Sequence, residues 1–249
     1  MSEDKEPKLR TVEKVKPPYP LNGFPEEFAF RLGKEIVYLL ATKGAPDLRG
    51  SDWEQIFATC ISGKWTPSNV GLDDVTLDNC AWSAKSVKAT NPEKATKVRL
   101  ISGRNSPTYS FGELDILNIE PNKLGEQILS IWNERVSAIR SKHKHLRTVV
   151  LLKANALETL AIFEFETIRY EPALYTWKWN KNKNLEGYDK RRVHLFTWQP
   201  HGSQFTIIEN VPDDALIIKI NKPATLSKDK VLKGLGFSKS WITVKRKNE

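Results

Sequence analysis

An acid and a lysine separated by a hairpin's length of chain are the residues best placed by type and spacing to do chemistry. Gly71-Leu72-Asp73-Asp74-Val75 is followed by Ala81-Trp82-Ser83-Ala84-Lys85, in two short β-prone runs joined by a turn near Asp78-Asn79. On the second run Ser83 and Lys85 are two apart and share a face, while Trp82 and Ala84 point the other way, toward a core or a covering helix. Adjacent strands would set the acid of one beside the lysine of the other. A carboxylate and a lysine on one sheet face can hold a divalent cation beside a phosphate. The cation neutralises phosphate charge and lowers the pKa of a bound water; the lysine orients that water or stabilises the developing charge.

Regular elements must position these groups. Apolar residues recur at helical spacing from Pro25 (Phe28, Leu32, Ile36, Leu39, Leu40), with Gly44 as the stop. A second short helix begins at Ser51, where Ser51-Asp52-Trp53-Glu54 has capping-box spacing. After the acid and lysine runs, KVRLISGR reads as the third strand of a meander. Pro121 to about Lys142 forms the strongest helix, with Leu124, Ile128, Ile131, Trp132, Val136 and Ile139 on one face, and RTVVLLKA is a strand buried on both faces. From Leu157 onward the chain reads as strands separated by Pro, Gly and Asn-rich turns, then a short helix SKDKVLKGLG and a last strand SWITVKRK. The fold class is therefore α/β of mixed α+β character. Residues 1–22, with four prolines, read as an extended arm, 23–155 as a catalytic core, and 156–249 as a β-rich part continuous with that core.

The charge is localised. The 249-residue chain carries a formal net charge of +9, with +4 in 176–194 and +6 in 222–249, so the remainder is close to neutral. A concentrated excess of this kind suits a polyanion, whose released counterions drive association. Trp177 and Trp179 alternate with Lys178, and Lys181, Lys183, Arg191 and Arg192 follow; aromatics beside cations can stack on bases or sugars while the cations hold phosphates. Lys88, then Arg104, Asn105 and Ser106 in a polar loop, and Gln199, His201 and Gln204 in a tight turn add residue types that contact phosphates or read base edges.

Other chemistries lack their residues. There is no Gly-x-x-x-x-Gly-Lys-Ser/Thr phosphate loop, no Gly-x-Ser-x-Gly nucleophile turn, and His143-Lys144-His145 stands without further metal ligands. Cys60 and Cys80 are too few for a disulfide scaffold or a four-cysteine zinc site. No run approaches the ~20 apolar residues of a membrane span, and the charged N-terminus is unlike a secretory signal. The expectation is a cytoplasmic protein with no membrane partner.

Asp74-Val75, a hairpin-length gap and Ser83-Ala84-Lys85 on an apolar strand resemble the PD-(D/E)xK nuclease superfamily, and within it the type II restriction endonucleases, over roughly residues 26–150. The resemblance implies a restriction-endonuclease-like core, a central mixed sheet flanked by helices with a β-rich C-terminal extension. It also implies magnesium-dependent, site-specific cleavage of double-stranded DNA leaving a 5′-phosphate. Asp74 would be the metal ligand, with Asp73 its alternative, and Lys85 the catalytic lysine. Ser83 stands where the family has a second acid, for which Glu54, Glu93 and Glu35 are the replacements, Glu54 first. A palindromic site would call for a homodimer, with helix 121–142 as one possible interface. The alternatives are a non-catalytic nucleic-acid-binding protein retaining the nuclease fold, and a basic protein–protein adaptor.

Overall fold

The computed structural model describes residues 15–43, 47–66 and 71–247. Residues 1–14 of the expected arm and the Gly44 helix stop lie outside the described residues. The first two elements are helices, α1 (Phe28–Thr42) and α2 (Gly50–Ile61). In α1 the expected stripe of Phe28, Leu32, Ile36, Leu39 and Leu40 is buried. The start of α2 differs from the sequence reading: the Arg49 N–H donates to Asp52 Oδ2 at 3.0 Å, so Asp52 closes the N-terminus and Glu54 takes no part in the cap.

Strands β1 (Lys64–Trp65), β2 (Val75–Leu77), β3 (Cys80–Lys88) and β4 (Lys97–Arg104) follow, then helices α3 (Pro107–Phe111) and α4 (Pro121–Arg140). The remaining strands are β5 (His145–Lys153), β6 (Thr159–Glu166), β7 (Thr176–Trp179), β8 (Leu185–Tyr188), β9 (His194–Gln199), β10 (Gln204–Asn210) and β11 (Leu216–Lys219), with α5 (Lys228–Gly234) after them. The strand expected over SWITVKRK does not form: a 3-10 turn spans Lys239–Trp241, and beyond it Ile242 and Val244 stay exposed with no strand beside them.

The strands make two sheets. The first is six-stranded and mixed, in the order β1-β2-β3-β5-β6-β11, with β3 and β5 parallel and the other pairs antiparallel. The second is five-stranded and antiparallel, β4-β10-β9-β8-β7. KVRLISGR is thus a strand but not the third of a meander. β3 has β2 on one side and β5 on the other, so no edge remains for β4, which pairs with β10 instead. β6 and β11 of the C-terminal half hydrogen-bond into the first sheet.

Three layers result, in a mixed α/β fold. α1 and α2 cover one face of the first sheet, burying Trp53, Phe57, Trp82, Val149, Leu151 and Ile162 between them. The other face meets α4 through Ala81 and Leu146, and the second sheet through Val150, Leu152 and Phe163 against Val98 and Leu100 of β4. No helix among the described residues is long and apolar enough to cross a membrane.

Between the helices and the first sheet lies a buried charge pair. The Arg147 guanidinium on β5 donates to Glu164 Oε2 on β6 at 3.1 Å and to the Tyr19 carbonyl at 3.1 Å. Glu164 Oε1 accepts from the Tyr19 hydroxyl at 2.8 Å and from the Trp82 indole at 2.7 Å. Burial pushes the Glu164 carboxyl above the usual range, and these donors pull it back. Residues 15–22 of the expected arm are therefore folded down: Tyr19 stacks on Trp82 and the Val15 carbonyl lies 2.8 Å from His145 Nε2.

α4 is buried between the sheets through Leu124, Ile128, Leu129, Trp132, Val136 and Ile139. Its apolar stripe is thereby spent on the core, and its opposite face, with Glu126, Ser130 and Glu134, is exposed. Its fit against the second sheet is close: a Cβ on Gly125 would fall 2.3 Å from the Trp177 indole, a separation that only displacement of one element relieves. Gly125→Ala is expected to destabilise the fold by about 2–3 kcal/mol despite alanine's better helix propensity. Denaturant melts of the two proteins, with unchanged m-value, measure it.

Candidate active site

The hairpin register derives the central pair. The two-residue turn at Asp78-Asn79, with Asp78 at φ +49°, sets Leu77 opposite Cys80 and Val75 opposite Trp82. One step further Asp74 faces Ser83, and Lys85 is the diagonal neighbour on the same face. Asp74 Oδ2 accepts the Ala84 N–H at 3.0 Å, lies 3.4 Å from the Ser83 hydroxyl, and is 4.0 Å from Lys85 Nζ. Ser83 donates to the Gly71 carbonyl at 3.0 Å. Trp82 and Ala84 point into the helix-side core, as the alternation required.

Two further elements close on the pair. Glu54, on α2, accepts the Trp65 indole N–H at 3.1 Å, and its carboxyl is raised first by burial and also by the nearby charge of Asp74, with Lys85 opposing. Arg135, on α4, donates to the Ser102 carbonyl at 2.7 Å and to Asn105 Oδ1 at 3.2 Å. The same guanidinium packs against Gly103, whose φ of +114° and missing side chain admit it: a Cβ there would lie 2.6 Å from Arg135. Arg135 was missed in the sequence, although the signal is present. Positions 128, 132, 135 and 139 continue one helical stripe, and an arginine inside an apolar stripe is a buried cation with a role.

Burial sets the electrostatics. It pushes the Asp74 carboxyl above its ordinary value, against the pull of Lys85, the Ala84 N–H and the Ser83 hydroxyl. Burial likewise pushes Lys85 below the ordinary lysine value, opposed by Asp74 and Glu54 and reinforced by Arg135. Both shifts mark charges gathered where solvent is partly excluded, the pattern found at functional sites. Among the described residues no group of three or more His, Cys, Asp or Glu side chains converges to hold a metal ion. A pair of carboxylates, Asp74 with Glu54, is the available donor set, and magnesium ordinarily takes one or two carboxylates plus waters and phosphate oxygens.

Other sequence-predicted residues fall elsewhere. It is Asp74, not Asp73, that meets Lys85; the Asp73 carboxylate has one buried oxygen, Oδ1, without a hydrogen-bond partner. Glu93 sits past the far end of β3, where its carboxylate pairs with Lys219 Nζ at 2.9 Å. Glu35 lies on α1, on the wall of a groove with Tyr38, Asp52 and Gln55. Lys88 is exposed beside Asp47, 4.0 Å away.

Asn105 is fully buried, donating to the Ile128 carbonyl at 2.9 Å and accepting from Arg135, while its carbonyl takes the Trp198 indole N–H. It is a structural tie and has no edge to offer a base. Ser106 caps α3 by accepting the Tyr109 N–H. Trp177 packs into the core against Gly125 and Phe196, so it cannot stack on a base. Lys178 lies over the Tyr188 ring at 4.4 Å.

Strand register also divides the basic set. Gln204 pairs with both Arg104 and Gln199, so Arg104, Gln199, His201 and Gln204 share one end of the second sheet. Arg135 ties that end to the Asp74–Lys85 pair. The turn carrying Lys181 and Lys183 is at the same end but on the outer strands, whereas Arg191 and Arg192 lie in the next turn, at the opposite end of β8. A four-residue strand makes that separation roughly 13 Å. No family model, no curated protein and no solved structure matches the chain.

The raised Asp74 pKa has a thermodynamic sign. A carboxyl raised in the fold binds its proton more tightly there than in the unfolded chain, so its contribution to stability falls as pH rises above the unfolded value of about 4. Asp74→Asn keeps an acceptor for the Ala84 N–H and removes the titration. The stability of the variant relative to wild type is therefore expected to rise as pH goes from 4 to 7. Thermal melts across that range test it; a difference that stays constant or shrinks with rising pH refutes the reading.

Proposed function

We propose that the protein is a magnesium-dependent endonuclease acting on double-stranded DNA, built on a restriction-endonuclease-like core. The observation that carries the proposal is the meeting of Asp74 and Lys85 on one sheet face, the Lys85 ammonium 4.0 Å from the Asp74 carboxylate, with the Glu54 carboxylate of α2 near enough to act on both charges. Asp74 and Glu54 are the residues that would hold the cation. When bound it supplies a water of lowered pKa and neutralises charge on the scissile phosphate. Lys85 orients the attacking water or stabilises the added negative charge on phosphorus, and its burial strengthens either interaction. Ser83 holds the site's backbone, through Gly71, rather than replacing an acid.

Arg104, exposed at the end of β4, with Gln199, His201 and Gln204 beside it, forms the DNA-facing edge next to the reacting groups. Arginine's bidentate fork suits guanine O6 and N7. Cutting both strands of a palindromic site would employ a two-fold pair of chains. The missing second acid favours one other reading, a DNA-binding protein that retains the fold without cleaving.

Purified protein and Lys85→Ala incubated with phage-sized DNA separate the readings. Wild type is expected to give discrete fragments in magnesium and none with EDTA, and Lys85→Ala to be slower by about 100-fold or more. Fragments that persist in Lys85→Ala move the chemistry away from this site. Intact DNA with a salt-sensitive mobility shift assigns binding without cleavage.

A further inference from the structure

A second charged site stands on the opposite face of the first sheet. β3 and β5 are parallel and end in register at Lys88 and Lys153. Both residues are an odd number of positions from Lys85 and its partner Val150, so they face α1 and α2 rather than α4. Beyond these strand ends lies a cleft of about 490 Å³, lined by Lys43, Lys88, Lys153, Lys222, Asp47 and Thr225, among others. The volume is within the range of small-ligand sites. The carboxyl ends of parallel strands are where open α/β sheets bind ligands.

The cleft is constructed rather than incidental. Lys153 is 5% exposed, donates to the Leu48 carbonyl, and lies 3.8 Å from Asp47. Lys88 reaches the same carboxylate at 4.0 Å. The Leu226 N–H donates to the Ala41 carbonyl at 2.8 Å, folding the segment after β11 back over the end of α1 and bringing Lys222 and Thr225 to the same cleft as Lys43. Four lysines thus line one concave space with Asp47 as the acid on its wall, a formal net of +3 whose charges repel one another when no anion is present. Desolvation at Lys153, with Lys88 adding repulsion, holds its ammonium below the ordinary lysine value.

We propose that this cleft binds a compact polyphosphate anion, the phosphate chain of a nucleoside triphosphate or an inorganic polyphosphate. Several phosphates in a row can each meet a different lysine, and Thr225 adds a hydroxyl donor. The walls, from Leu40, Ala156 and Leu157, suit the uncharged part of a nucleotide. The site is separate from the Asp74–Lys85 pair and holds whether or not that pair cleaves DNA.

The test is calorimetric titration of inorganic triphosphate, then adenosine triphosphate, into the intact protein at low salt. Lys43→Ala/Lys222→Ala, both exposed positions that leave the buried Lys153 in place, is expected to weaken triphosphate binding at least about tenfold. Lys85→Ala is expected to bind it as wild type does. Tighter binding of adenosine triphosphate than of inorganic triphosphate assigns a nucleotide; equal binding assigns the phosphate chain alone. Absence of binding at millimolar triphosphate, or an unchanged constant in the double variant, overturns the proposal. So does displacement of bound triphosphate by a saturating DNA duplex, which would give the cleft to the DNA backbone.

Discussion

The meeting of the two sheets at the site depends on one helix being gripped between them. α4 buries Leu124, Ile128, Trp132, Val136 and Ile139 in a core that reaches from Ala81 and Leu146 on one side to Trp177, Phe196 and Phe205 on the other. Side chains packed at crystal-like density leave such a helix few alternative positions. Arg135 is consequently delivered to a fixed place, where it ties Ser102 and Asn105 of the second sheet close to Gly71 and the hairpin. The second sheet is held at the site by this tie as well as by the β4 contacts with the first.

The charges on the two faces of the first sheet are handled differently. On the helix side, Arg147 and Glu164 are buried as a pair and supplied with hydrogen bonds from Tyr19 and Trp82; such a pair adds little net stability but penalises any structure that separates it. On the α4 side Asp74 and Lys85, with Glu54 near them from α2, lack that full complement, and burial moves each toward its neutral form. The first arrangement is compensated by hydrogen bonds, while the second holds charge that its neighbours offset only in part. One sheet carries both because the side chains of its strands alternate between its faces.

Much of this was legible in the sequence where the physics is local. The α1 stripe, the two-residue turn, the shared face of Ser83 and Lys85, and the doubly buried β5 all follow from periodicity and turn chemistry. What failed was non-local. That β4 would leave the hairpin depended on β5 arriving parallel beside β3, which no nearby residue announces. Trp177 and Asn105 had the composition of a nucleic-acid surface, yet Gly125 and Ile128, far off in sequence, claim them for the core. The cap of α2 went to Asp52 because the capping box falls two residues earlier, from Arg49 to Asp52, a shift below the resolution of propensity rules.

The contacts around Tyr19 carry a consequence in time. Its hydroxyl meets a carboxylate 145 residues later, and its carbonyl an arginine 128 residues later. At synthesis rates of about 5–20 residues per second, the segment before α1 would wait on the order of ten seconds for its partners to be made. Throughout that interval Trp82 and the first two helices have no completed sheet to cover. Pairings this distant give a high contact order and slow closure, so the early chain is exposed to misassociation until β6 is in place. The Tyr19 contacts close only with β6, and the first sheet itself only with β11, so the beginning of the chain is fixed by its second half.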